Sequence, residues 1–155
     1  MTSTFDPTQF LDATTTEAAT RRPPLPVGDY LGVLGAPDVR PVQGKKDPSQ
    51  TYIFVDFPVT IDLTSYPTAR HLVGQDTVKL RYSMSLDVNG TGIDWSPGKN
   101  TGLRFLREAT GTNVPGQSFN IRGLEGRMIK AKVIHREYPE NSGEMQDNIA
   151  SVAKP

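Results

Sequence analysis

Thr51-Tyr52-Ile53-Phe54-Val55-Asp56-Phe57-Pro58-Val59-Thr60-Ile61-Asp62 alternates in hydrophobicity from end to end. Ile53, Val55, Phe57, Val59 and Ile61 share one face, while Tyr52, Phe54, Asp56 and Thr60 share the other. A period of two is the signature of a strand with one buried side. Pro58 lacks a ladder donor, which predicts an edge position or a bulge there. Further along, Val78, Leu80, Tyr82, Met84 and Leu86 alternate in the same way with Lys79, Arg81, Ser83 and Ser85. Two half-buried strands of this length set the fold class as mainly β.

Working outward, Val27 to Ala36 carries Tyr30, Leu31, Val33 and Leu34 and stops at Pro37, which predicts a first strand. After a turn-rich stretch from Asp87 to Gly98 the period changes. Leu103, Leu106 and Ala109 recur at helical spacing within Lys99 to Thr110, with Asn100 or Ser96 for the amino cap and Gly111 for the end. Gly102 costs such a helix about 1 kcal/mol relative to alanine, so packing must compensate. Pro115 and Gly116 lead to Phe119, Ile121 and Leu124, a short helical turn. Strand character returns at Arg127 to Tyr138, where Ile129, Ala131 and Val133 alternate with Lys130, Lys132 and Ile134. Pro139 to Gly143 reads as a hairpin loop and Asn148 to Ala153 as the returning strand.

The predicted order is three strands, one helix, two strands. That is the order of the five-stranded OB barrel, in which a helix between strands three and four closes one end. A two-layer α+β sandwich has the same order. Residues 27–155 form the predicted domain. Residues 1–26 differ: Phe5, Phe10 and Leu11 offer a small apolar face on a short helix, with Thr4 as its cap and Pro7 in its first turn. Thr14 to Thr16 then weaken the helix, and Arg21, Arg22, Pro23, Pro24 and Pro26 read as an extended connection. The segment is an arm that either docks or stays free.

Composition removes several function classes. Seventeen basic residues balance seventeen acidic ones and there is no cysteine, which excludes a histone-like binder, a disulfide framework and a thiolate metal site. The first twenty residues lack the basic and apolar regions of a secretory signal, and no window is apolar enough to span a bilayer. A soluble intracellular protein without membrane contact is the expectation. Only two histidines occur, His71 and His135, too few for a zinc site, so no metal or cofactor is expected. Gly98-Lys99-Asn100 lacks both the spacing and the hydroxyl of a phosphate loop, and no serine stands in a nucleophile elbow. Asp56, Asp62, Asp87 and Asp94 read as strand and turn aspartates rather than a two-metal cluster. An enzyme is not expected.

Binding is the richer reading. With the aliphatic faces turned inward, the opposite faces present Tyr52 and Phe54, then Lys79 and Arg81, then Lys130, Lys132, Arg136 and Tyr138. Single-strand binders combine cations along the phosphates with rings that stack on bases, at about 1 to 3 kcal/mol per base. Lys45 and Lys46, in the loop after the first strand, stand where OB folds clamp a ligand. Trp95, between Gly92 and Gly98, reads as an anchor over the barrel. The same aromatic face also suits a non-catalytic protein–protein interaction or structural module.

Three stretches resemble a family of small bacteriophage early-region proteins, several of them single-stranded DNA-binding proteins. They are Phe5-Asp6-Pro7-Thr8-Gln9-Phe10-Leu11 with Pro24-Leu25-Pro26-Val27-Gly28-Asp29-Tyr30, then Gly98-Lys99-Asn100 running into Leu103, Leu106-Arg107-Glu108-Ala109 and Gly111. The third joins Leu124-Glu125-Gly126 to Val133-Ile134-His135-Arg136-Glu137-Tyr138 and Ile149-Ala150-Ser151-Val152-Ala153-Lys154. The resemblance implies an OB fold and a role in phage DNA replication, recombination or repair in the host cytoplasm. Single-stranded DNA is the implied partner, with phage or host replication and recombination proteins beside it and a homo-oligomer left open. The chain ends Ser151-Val152-Ala153-Lys154-Pro155 rather than in the acidic tail of bacterial single-strand binders.

Overall fold

A computed structural model describes residues 5–155. The cap expected at Thr4 lies outside the described residues. Among the described residues eight strands form: β1 (Gly28–Leu34), β2 (Asp38–Gln43), β3 (Thr51–Asp62), β4 (Thr77–Leu86), β5 (Val88–Asn89), β6 (Gly92–Ile93), β7 (Met128–Glu137) and β8 (Met145–Ala153). Three α-helices accompany them among the described residues: α1 (Pro7–Leu11), α2 (Pro67–Val73) and α3 (Thr101–Thr110). The main sheet has six strands, all antiparallel, in the order β2-β3-β1-β7-β8 with β4 on the other side of β3. β5 and β6 make a separate small hairpin.

β3 organises the sheet. β4 pairs with it from Ile53 to Asp62, whereas its opposite side is shared: β2 covers Thr51 to Asp56 and β1 covers Val59 to Ile61. Pro58 falls in the interval where one partner has ended and the other has not begun. Its strand is therefore interior, not an edge and not bulged, and the missing N–H lies where no ladder acceptor awaits it. The Pro58 carbonyl accepts from the Gly35 amide at 2.7 Å. A Cβ on Gly35 would stand 2.6 Å from Pro58 Cγ, so only glycine fits that crossing.

The sheet curls but does not close into a barrel. Among the described residues β4 pairs only with β3 and β8 only with β7, although the two touch. α3 packs against β4, β7 and β8, burying Leu103, Leu106 and Ala109 as the helical spacing predicts. At Gly102 the helix comes close to β4, since a Cβ there would meet that of Met84 at 3.1 Å. Gly111 ends the helix in the left-handed conformation (φ 72°). Asn100 stands at the amino cap but its side chain does not cap. It accepts from the Asp87 amide at 2.8 Å and donates to the Asp94 carbonyl at 2.8 Å, tying the β5–β6 hairpin to the helix.

The core joins the inward faces of β1, β3, β4 and β7 with α3. Leu34, Val55, Phe57, Val59, Ile61, Leu106, Ile129, Ala131 and Val133 have at most 1% of their surface exposed. β2 and α2 depart from the sequence expectation. β2 carries Pro41 and largely exposed side chains, an alternation too weak to read. α2 is only seven residues long, though Pro67 starts it and left-handed Gly74 ends it. Among the described residues no helix is long and apolar enough to cross a membrane.

Candidate functional site

The end of the arm is latched rather than free. Leu25 is fully buried, and its amide donates to Asp147 Oδ2 at 2.8 Å. The Arg22 guanidinium grips the same carboxylate, Nη1 at 2.6 Å and Nη2 at 3.2 Å. His135 Nε2 lies 2.6 Å from the Leu25 carbonyl, so the ring supplies the donor that this buried acceptor needs. Asp147 is thus a buried organiser of the latch. Residues 5–20 are exposed throughout; in α1 the cap is Asp6, and Phe5 stacks on Phe10 at 5.3 Å.

Beside this latch a cleft of about 1050 Å³ lies along β4 and the β7–β8 hairpin, where the sheet fails to close. Four separate parts of the chain bring cations to it: Arg22 from the latch, Lys45 from the β2–β3 loop, Lys79 and Arg81 from β4, and Arg136 from β7. Lys79 and Arg81 face outward because they alternate with buried Val78 and Leu80. Tyr138 stands one residue past β7, 60% exposed, at the same cleft. Glu137, Glu140 and Asp147 are the acids there. Asp147 is held by Arg22, and Glu137 Oε1 accepts from the Gly143 amide at 3.0 Å. Among the described residues Lys45, Lys79, Arg81 and Arg136 form no ion pair.

The outer face of β3 is different. Tyr52 is exposed, its hydroxyl donating to Gln50 Oε1 at 3.1 Å. Phe54 is half-buried, with the Arg40 guanidinium 5.0 Å above its ring. Arg40, on β2, also donates through Nε to Asp56 at 2.6 Å, and the Ser83 hydroxyl donates to the same carboxylate. Burial of Asp56 alone would raise its pKa. The hydrogen bonds from Arg40 and Ser83, with the charges of Arg40 and Arg81, outweigh burial and hold the carboxyl below its usual range. Aspartate 56 is therefore matched by a cation that the alternation of β3 does not reveal.

Of the residues singled out in the sequence, the cleft gathers Lys45, Lys79, Arg81, Arg136 and Tyr138. Lys46 is exposed in the same loop as Lys45 without lining the cleft, and Tyr52 and Phe54 lie on the β3 face. Lys130 and Lys132 stand on the outer side of β7, opposite Leu31 and Asp29 of β1, away from the cleft lining. Trp95 is 55% exposed and meets Phe119 edge-on at 6.1 Å, with Arg107 stacked 4.0 Å over that second ring. Among the described residues no group of three or more His, Asp or Glu side chains is placed to hold a metal ion. No family model matches the chain and no curated protein matches it, so the functional reading rests on the cleft's own chemistry.

Proposed function

We propose that the protein binds single-stranded DNA, without sequence readout and without catalysis, in the cleft beside β4. The observation that carries this reading is the convergence of Lys45, Lys79, Arg81 and Arg136, none of them in an ion pair among the described residues, around exposed Tyr138. A flexible polyanion supplies the counter-charges these groups lack, and Tyr138 offers a π-face to a base. Tyr52 extends the path along the outer face of β3, where the Phe54 ring is already covered by Arg40. Lys46, Lys130 and Lys132 contribute to the wider field rather than to the cleft.

The architecture supports the same proposal. Taken together, β1 and β2 act as one bent strand along β3, and β3, β4, α3, β7 and β8 follow in the OB order. We read the fold as an open OB variant whose unclosed seam is the binding cleft, flanked by the β2–β3 and β7–β8 loops. A role in phage DNA replication, recombination or repair, in the host cytoplasm, accords with that reading and with the sequence resemblance.

The test is a fluorescence titration with an oligonucleotide across a salt series. Neutralising about four phosphates gives log affinity a slope near −3 against log salt, using about −0.7 per phosphate for single strands. Absence of binding at low salt overturns the proposal.

A further inference from the structure

β1 covers β7 from Met128 to Val133 and no further. Among the described residues the rest of the hairpin, residues 134–137 against residues 145–148, has no strand beside it on either side. A register shift between Lys132 and Val133 falls where the hairpin leaves the sheet, and such an irregularity bends a strand. Arg136 and Tyr138, two of the groups that line the cleft, therefore stand on a projecting arm of the sheet.

The chain before β1 braces it. Pro23, Pro24 and Pro26 have no N–H, so this segment cannot continue the ladder along β7. Leu25 carries the one amide among residues 23–26, and that amide donates to Asp147 Oδ2 at 2.8 Å, while the Leu25 carbonyl meets His135 Nε2 at 2.6 Å. His135 and Asp147 are direct cross-strand partners and so share one face of the hairpin. Arg136 and its partner Gln146 fall on the other face by alternation, and Tyr138, two residues on, follows Arg136. Both backbone groups of a fully buried residue are thus held by the back of a hairpin whose front lines the cleft. Arg22 closes on the same carboxylate, and Arg21 donates to the Tyr138 carbonyl at 3.4 Å.

We propose that Asp147, gripped by Arg22 and Leu25, is a positioning residue for nucleic-acid binding: it fixes the projecting hairpin so that Arg136 and Tyr138 are ordered before a strand arrives. The inference rests on the single-strand reading and adds to it groups that touch no nucleotide. Arg22 lines the cleft, yet its charge is satisfied by Asp147, so it supplies alignment rather than a phosphate contact. Ordering the binding groups in advance removes a cost that association otherwise carries.

A double-mutant cycle on the full chain tests it, with circular dichroism confirming that each variant is folded. Asp147→Asn and Arg22→Ala are each expected to weaken oligonucleotide binding on the order of tenfold, the cost of ordering two side chains and their hairpin at the moment of binding. The salt slope keeps its wild-type value, because no phosphate contact, each about 0.7 in that slope, is lost. In an R136A/Y138A background the same changes cost less than about twofold, since the groups they position are gone; in a Lys79→Ala background, on β4, the full loss returns. Arg22→Ala leaves the Leu25 bond to Asp147 in place and carries the cycle alone if Asp147→Asn does not fold. Hydrogen exchange supplies a reading without DNA: the Tyr138 amide, bonded to the Glu144 carbonyl at 3.0 Å, exchanges about tenfold faster in either variant, while the β4 amides keep their wild-type rates. Equal losses in all backgrounds, unchanged exchange at Tyr138, or a slope lowered by Arg22→Ala overturns the inference while wild-type binding keeps the previous reading in place. Tighter binding by Asp147→Asn, as a freed Arg22 would give, overturns it too. A wild type that binds no oligonucleotide at low salt overturns the single-strand reading and this inference with it.

Discussion

The cleft beside β4 and the outer face of β3 are built from the same residue types, yet they handle charge in opposite ways. On β3, Arg40 bridges Phe54 and Asp56, and Ser83 completes the carboxylate, so that face is settled internally. In the cleft the carboxylate of Asp147 is occupied by Arg22 and the Leu25 amide, while Lys45, Lys79, Arg81 and Arg136 share the lining without an ion pair among the described residues. An arginine with a carboxylate across the sheet is a structural part. An arginine without one is an invitation to an anion.

That contrast breaks most visibly when the cleft cations are removed. Replacing Lys79, Arg81 and Arg136 together by alanine is expected to weaken single-strand binding on the order of 100-fold at low salt and to reduce the salt slope by about 2, from three lost phosphate contacts. Melting temperature should shift little, since exposed substitutions of this kind stay within about 0.5 kcal/mol each. Asp56→Ala should do the reverse: a loss of about 2 kcal/mol, because the donors of Arg40 and Ser83 lose their acceptor. At this chain length that lowers the melting temperature by about 4 to 8 °C, with oligonucleotide affinity nearly unchanged.

Tyr138→Ala tests the ring in the cleft and should cost about 30-fold in affinity, the middle of the stacking range. Tyr52→Ala should cost less than threefold if the cleft is the main path; equal losses would move the path onto β3. The smallest effect is a pH dependence. The Asp56 carboxyl is held below its ordinary value in the folded protein, so its contribution is present above about pH 4 and is lost as pH falls through the lower folded value. Asp56→Asn should therefore flatten the acid limb of the stability curve, measured by urea unfolding between neutral and acid pH.

The long strands and α3 were legible because each buries one face continuously: Thr51–Asp62 appears with the very limits its alternation predicts, and Leu103, Leu106 and Ala109 pack where their spacing puts them. β2 was not legible, since an edge strand with Pro41 and exposed side chains has no buried face to write into the sequence. β8 begins three residues before the expected Asn148, at Met145, because its first turn is held by the latch around Asp147 rather than by apolar alternation. The site divides similarly. Lys79 and Arg81 follow from the pattern of one strand, but their meeting with Lys45, Arg136 and Tyr138 depends on where an open sheet brings its ends, and the pairing of Arg40 with Asp56 depends on a register that period two alone does not specify.

Pro58 gives the sheet a property beyond its local geometry. Because its carbonyl faces the β1–β2 side, the long ladder to β4 runs past without needing its nitrogen. A one-residue slip of β3 would turn that nitrogen toward β4 and remove a donor from the middle of the longest pairing, besides turning Val55, Phe57 and Val59 outward. A two-residue slip against β1 or β2 would set the imide opposite a paired carbonyl. Misaligned pairings thus carry a penalty the native one avoids, and the proline serves as an alignment key for every strand that β3 touches.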